Sequence, residues 1–210
     1  GTSVEHYLRR RFGPLALQDG RFLMRPASER WSKSSPQHIA LADLDQLIPP
    51  AFFAESFAVV RHPVDRIISL FRYQRDIVGR IPSRVPFSRW LSQLPDRMAA
   101  HPYMLDNHPR PMCDFVPEGA RIFRLEDGLE RVARWIDTLP GAVSPSPDPV
   151  SDPIETRNSY GDKLAAVGGV PGPEVAVDAN DRDRIAEIYA ADFARFGYDP
   201  NRSATGEAVT

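Results

Sequence analysis

The strongest constraint on the fold is a short apolar run, Glu55-Ser56-Phe57-Ala58-Val59-Val60, that ends abruptly at Arg61-His62-Pro63. It is too short for a core helix and lacks polar alternation, which suits a strand buried in a parallel sheet. Pro63 fits the first turn of a following helix. The stretch from about Val64 to Val78 places Ile67, Ile68, Phe71 and Ile77 as core candidates of that helix. Ala120-Arg121-Ile122-Phe123-Arg124-Leu125 reads as a second buried strand, with a helix over about 127–138. Strands alternating with helices predict an α/β class with a mostly parallel sheet. Ligands in such sheets bind at the carboxyl ends of the strands, where Arg61 and Arg124 stand.

The rest of the chain fits around this frame. Val4, Tyr7, Leu8 and Phe12 fall at helical spacing behind Thr2 or Ser3 as a cap. A short strand is expected at Arg21–Met24 and a short helix around 40–47, with another helix at 87–94. The segment 95–117, with five prolines and two histidines, is expected to be irregular. Residues 140–153 form a polar linker, and 168–173 a mobile Gly- and Pro-rich stretch. A last helix, Asp181 to Phe196, puts Ile185, Ile188, Tyr189 and Phe193 on one face and stops at Gly197. The expected organisation is one domain over 1–200 and a disordered tail over 201–210.

Composition excludes several classes of function. The net charge is -2, so no global field draws the chain to nucleic acid or an acidic membrane. The single cysteine, Cys113, rules out a disulfide framework and a cysteine-rich zinc site, and reads as a small buried hydrophobe. No apolar run approaches the roughly 18 residues of a membrane span, and the start lacks a signal-peptide pattern. No membrane contact is expected of this chain, and the missing signal together with a bacterial-looking composition leads us to expect a cytoplasmic protein. Lys33 and Lys163 are the only lysines among 26 basic residues, a bias expected of a GC-rich, bacterial coding sequence. Arginine also suits bidentate recognition of phosphate and sulfate.

The chemistry concentrates behind the first strand. Arg61 leaves the strand at a fixed point, and Ser69 lies on the next helix, which turns its hydroxyl back towards Arg61. A guanidinium fork and a hydroxyl converging on one small space suit a phosphate monoester. Asp65 can tie down the loop or pair with an arginine.

The stretch Arg61-His62-Pro63-Val64-Asp65-Arg66-Ile67-Ile68-Ser69-Leu70-Phe71 closely resembles the Arg-x-Pro-x-x-Arg-x-x-Ser-x-Tyr element of carbohydrate sulfotransferases, with Phe71 where tyrosine is common. In that family the element holds the 3'-phosphate of 3'-phosphoadenosine 5'-phosphosulfate (PAPS). Gly1-Thr2-Ser3 resembles the end of the family's Pro-Lys-x-x-Gly-Thr-Ser loop, whose N–H groups, hydroxyls and helix dipole cradle the 5'-phosphosulfate. The resemblance implies a P-loop-NTPase-like three-layer sandwich whose first strand and loop lysine are missing from this chain. Neither Lys33 nor Lys163 stands in sequence where it could replace that lysine. His38 resembles the histidine of the heparan- and chondroitin-type enzymes and is the candidate catalytic base. Asp106-Asn107-His108-Pro109-Arg110-Pro111-Met112 resembles an acceptor-side His-x-x-Pro-Gln segment, with Met112 replacing Gln, so His108 and Arg110 become candidate substrate contacts. Ile122-Phe123-Arg124-Leu125-Glu126-Asp127 resembles a strand ending in Arg-Leu-Glu; Arg124 would reach the nucleotide or pair with Glu126 or Asp127. Arg157-Asn158-Ser159 falls where family members close over the nucleotide, and Ile188–Tyr198 resembles their final helix.

The expected reaction is in-line transfer of a sulfuryl group from PAPS to a hydroxyl of a carbohydrate-like acceptor, small or polymeric. Arg61, Ser69, Arg124 and Arg157 with Gly1, Thr2 and Ser3 would hold the nucleotide, and His38 would take the acceptor proton. The sequence shows no metal-ligand cluster, and positioning with fixed charge requires none. Two rivals remain from the residues alone: a P-loop kinase-like phosphotransferase, against which 55–73 offers no clear magnesium-binding aspartate, and a non-catalytic nucleotide-binding relative.

Overall fold

The computed structural model describes residues 1–141, 154 and 159–202. It is α/β. Helix α1 (Thr2–Phe12) is followed by a series of turns, a short helix α2 (Leu41–Leu44) and strand β1 (Phe57–Val60). Next come α3 (Pro63–Arg72), α4 (Phe87–Ser92), α5 (Leu94–Ala100) and strand β2 (Arg121–Arg124). The chain closes with α6 (Glu130–Ile136), α7 (Tyr160–Ala166), α8 (Ala179–Ile188) and α9 (Ala190–Phe196).

The two strands pair in parallel, Phe57 with Arg121 through Val60 with Arg124. Their alternation splits the side chains between two faces. Phe57, Val59 and Phe123 face the cluster of Val4 and Tyr7 from α1 and Val132, Ala133 and Ile136 from α6. Ala58 and Val60 face Met112, Val116 and Phe196. A third cluster joins Ile67 and Phe71 of α3 to Trp90 and Leu91 of α4, and to Ile185, Tyr189 and Phe193 near the carboxyl end. Because the strands run the same way, Arg61 and Arg124 both emerge at one end of the sheet.

Several local expectations are corrected. Phe22–Met24 is a single 3-10 turn, because buried Phe22 packs edge-on against Trp31 at 5.6 Å and has no strand partner. The segment 95–117 contains most of α5, which starts with Pro95 in its first turn, as well as two 3-10 turns. The helix after β1 stops being α-helical at Arg72 and continues as a π-helical turn, Tyr73–Ile77. The last helix breaks at Tyr189 (φ -113, ψ 26), whose buried hydroxyl donates to the Pro109 carbonyl at 2.7 Å. Helix α7 carries its own capping box, Ser159 with Asp162, a signal the sequence reading passed over.

Near 168–173 the backbone is tied down. Arg75 and Asp76 form a buried ion pair at 2.6 Å, and Arg75 also donates to the Pro173 carbonyl at 2.8 Å. A Cβ at Gly172 would stand 2.4 Å from Asp76 Oδ1, so a side chain there would displace the ion pair.

Candidate functional site

The motif that follows β1 folds around a cavity of about 450 Å³. Arg61 reaches it from the strand end and Ser69 from the second turn of α3. Thr2 brings the N-terminal end of α1, with its positive dipole, to the same wall. His62 fixes the turn between Arg61 and Ser69. Its Nδ1 accepts from the Val64 N–H at 3.3 Å and its Nε2 donates to the Asp199 carbonyl at 3.1 Å. The His62 N–H in turn donates to Glu126 at 2.6 Å, locking β1 to the end of β2.

The opposite wall comes from α7 and the π-helical turn. Lys163 lines the cavity with its ammonium 4.6 Å from the centre of the Tyr73 ring. Tyr160 lines it too, and its hydroxyl donates to Asp76 at 2.7 Å while Arg72 lies 4.1 Å over its ring. The buried Arg75–Asp76 pair therefore holds α7, and with it Lys163, against the cavity. A π-helical turn at such a position is common at functional sites.

His38 and His108 complete the lining. His38 ends a 3-10 turn that Pro36 opens. Its Nδ1 meets Asp106 Oδ2 at 2.6 Å and lies 3.0 Å from the Ser35 hydroxyl. Asp106 also accepts from the Ser35 N–H and the Ser35 hydroxyl, each at 2.6 Å. Burial alone would raise the Asp106 carboxyl. The hydrogen bonds from His38 and Ser35 outweigh it and hold the group well below the usual carboxylate range. The anion therefore persists at neutral pH, keeps the proton of His38 on Nδ1 and leaves the Nε2 lone pair for other work.

This pairing needs an uncommon backbone. Leu105, Asp106 and Asn107 all have left-handed φ, 49°, 57° and 65°. Consecutive non-glycine residues there cost about 1–2 kcal/mol each, strain that recurs at functional sites. Asn107 Nδ2 donates to the His38 carbonyl at 2.7 Å, so the strained turn grips both ends of His38. The His108 ring sits 4.3 Å from that of His38, and its Nδ1 donates to the Leu105 carbonyl at 2.7 Å. Burial and the neighbouring His38 ring lower the pKa of His108 and favour its neutral form.

The structure brings Thr2, His38, Arg61, Ser69 and His108 to one cavity. It does not bring Arg110 or Arg124 there. Arg110 Nε donates to Asp114 at 2.7 Å. Arg124 donates to the Phe196 and Gly197 carbonyls at 2.7 and 2.9 Å, over the Tyr198 ring, because helix α9 ends against β2. Glu126, one of the two partners expected for Arg124, instead accepts from His62 and Tyr198. Gly1 and Ser3 flank Thr2 without lining the cavity, and Arg157 lies outside the described residues.

Three residues escaped the sequence reading. Asp106 lies 68 positions from His38, and no local pattern links them. Lys163 enters the cavity on a helix that the Asp76 clamp ties to the π-helical turn, a contact no local pattern announces. Arg66, within the motif but without an assigned role, lines the cavity and donates to the carbonyls of His108 and Arg110, bracing the histidine turn on α3.

A strand-end arginine, a helical hydroxyl, a helix N-terminus and a carboxylate-oriented imidazole stand around one cavity on an α/β frame. Comparison with known proteins gives the family. Residues 2–199 match the model of the Sulfotransferase family, so the chain belongs to it and is a transferase of sulfuryl groups. No curated protein matches the chain, and neither does any solved structure. Among the described residues, no helix is long and apolar enough to cross a membrane.

Proposed function

We propose that the chain transfers a sulfuryl group from PAPS to a hydroxyl of a carbohydrate-like acceptor, as a single domain over 1–200 with a P-loop-like arrangement. One observation carries this reading: Arg61, Ser69 and Thr2 line the same cavity as the His38–Asp106 pair. Arg61 and Ser69 hold the 3'-phosphate with charge-assisted hydrogen bonds. Thr2 and the N-terminal end of α1 hold the 5' end. Lys163 supplies a second cation on the facing wall, and it stabilises charge as the bridging oxygen leaves. Acceptor attack forms the new sulfur–oxygen bond, and the bond from sulfur to the bridging phosphate oxygen breaks. The nucleotide departs as 3'-phosphoadenosine 5'-phosphate (PAP). His38 Nε2 takes the acceptor proton, with Asp106 holding the tautomer and balancing the imidazolium. His108 sits beside it as an acceptor contact.

Isothermal titration with PAP tests the nucleotide site. Losing a charged bidentate contact in Arg61→Ala lowers affinity by about 10- to 1000-fold. Ser69→Ala loses the hydroxyl's charge-assisted hydrogen bond to the phosphate and weakens binding by about 10- to 100-fold. Unchanged affinity in Arg61→Ala refutes the assignment. A panel of mono- and oligosaccharides with labelled PAPS then reads out the acceptor class.

A further inference from the structure

His38, Asp106 and His108 do more than line an acceptor subsite. One donor atom from each lies within 4.8 Å of the other two, which makes them a metal-capable group among the described residues. The hydrogen bonds around them have the form found behind metal-bound imidazoles. A ligating histidine usually gives its second ring N–H to a carboxylate or a backbone carbonyl, which fixes the tautomer and raises basicity. His38 does so to Asp106 at 2.6 Å, and His108 to the Leu105 carbonyl at 2.7 Å. Both rings therefore keep Nε2 as the atom with the lone pair, and both line the cavity. The rings lie 4.3 Å apart, so two imidazole donors stand side by side. Asp106 itself is anchored twice by Ser35 and carries the balancing negative charge.

We propose that His38 and His108, backed by Asp106, form a binding site for a divalent transition-metal ion of the zinc type, and that occupancy holds the transferase inactive. Imidazole nitrogen donors select such ions over magnesium or calcium, which take oxygen ligands. Tetrahedral zinc at about 2.1 Å from each nitrogen needs donors about 3.4 Å apart. One donor atom from each of the three residues lies within 4.8 Å of the others, so a short side-chain movement reaches that spacing. Water or an acceptor hydroxyl fills the remaining positions. The metal site rests on these side chains alone. The inhibition rests in addition on His38 acting as the base, since a metal on Nε2 removes the lone pair that takes the acceptor proton.

The test is titration of the full chain with Zn²⁺, and with Co²⁺ read by its visible absorption, alongside PAP titration of the same sample. Expected is one saturable site, lost in His108→Ala and weakened about 10- to 100-fold in Asp106→Asn. His101→Ala, which alters an exposed histidine outside the cavity, leaves it unchanged. Cobalt spectra distinguish nitrogen ligation from loose surface binding. No saturable site, or a site that His108→Ala leaves intact, overturns the inference. PAP binding without zinc binding rejects the metal site and leaves the sulfotransferase reading standing. Zinc binding without PAP binding keeps the metal site and rejects PAPS as the donor.

Discussion

Replacing Asp106 by asparagine separates what the carboxylate does to the tautomer of His38 from what it does to the fold. The substitution preserves shape, and asparagine tolerates the left-handed φ of 57° that Asp106 adopts. One of its two terminal atoms must remain an acceptor for the Ser35 N–H, now met by Oδ1 at 2.6 Å. The amide nitrogen then takes the place of Oδ2, opposite the Ser35 hydroxyl and His38 Nδ1. An NH₂ group cannot accept from Nδ1–H, so His38 turns to the tautomer with its lone pair on Nδ1 and its proton on Nε2. The base is then switched off in place. Turnover should fall by about 10²- to 10⁴-fold, the usual contribution of a general base, while PAP affinity stays within a factor of about three. All three charge-assisted hydrogen bonds to the carboxylate become neutral or reverse, which costs about 1–3 kcal/mol in urea unfolding. Long-range ¹H–¹⁵N correlation spectra of the histidine rings read the tautomer directly and need no acceptor. Retention of Nδ1–H on His38 in the variant would refute the reasoning.

Other outcomes follow from the same geometry. Lys163→Met keeps the aliphatic stem over Tyr73 and removes the cation; PAP affinity by titration should drop about tenfold, and an unchanged value removes Lys163 from the site. Gly197→Ala forces a left-handed φ of 64° on a residue with a Cβ, which would lie 3.0 Å from Arg124 Nη2; unfolding should be easier by about 1–2 kcal/mol, with nucleotide binding little changed. Lowering the pH should destabilise the chain through Asp106. Its folded pKa lies below the unfolded 3.8, so its contribution is present above that value and is lost as pH falls through it towards the folded one; in Asp106→Asn the urea midpoint should lose that part of its acid slope.

What the sequence alone determined is the part whose cause is local. A run of apolar residues makes β1 in any context that buries it. Pro63 starts α3, and the nine residues from Arg61 to Ser69 bring a guanidinium and a hydroxyl to one side because a helix of that length can do little else. Those residues carry the family resemblance, and the family model covers them together with nearly all the described chain. Gly197 stops the last helix for an equally local reason, its freedom at positive φ. Tertiary structure decided the rest. Arg124 has the same strand-end position as Arg61, yet the end of α9 arrives against it and its carbonyls take the guanidinium. Lys163 looks like a surface charge until the Asp76 clamp turns α7 towards the cavity. His38 alone is one of five histidines. Asp106, carried on a strained turn that no propensity predicts, gives it a tautomer and a direction. Hydrogen bonds between residues 68 positions apart leave no trace in local spacing, because they depend on where two separate loops meet after the core has packed.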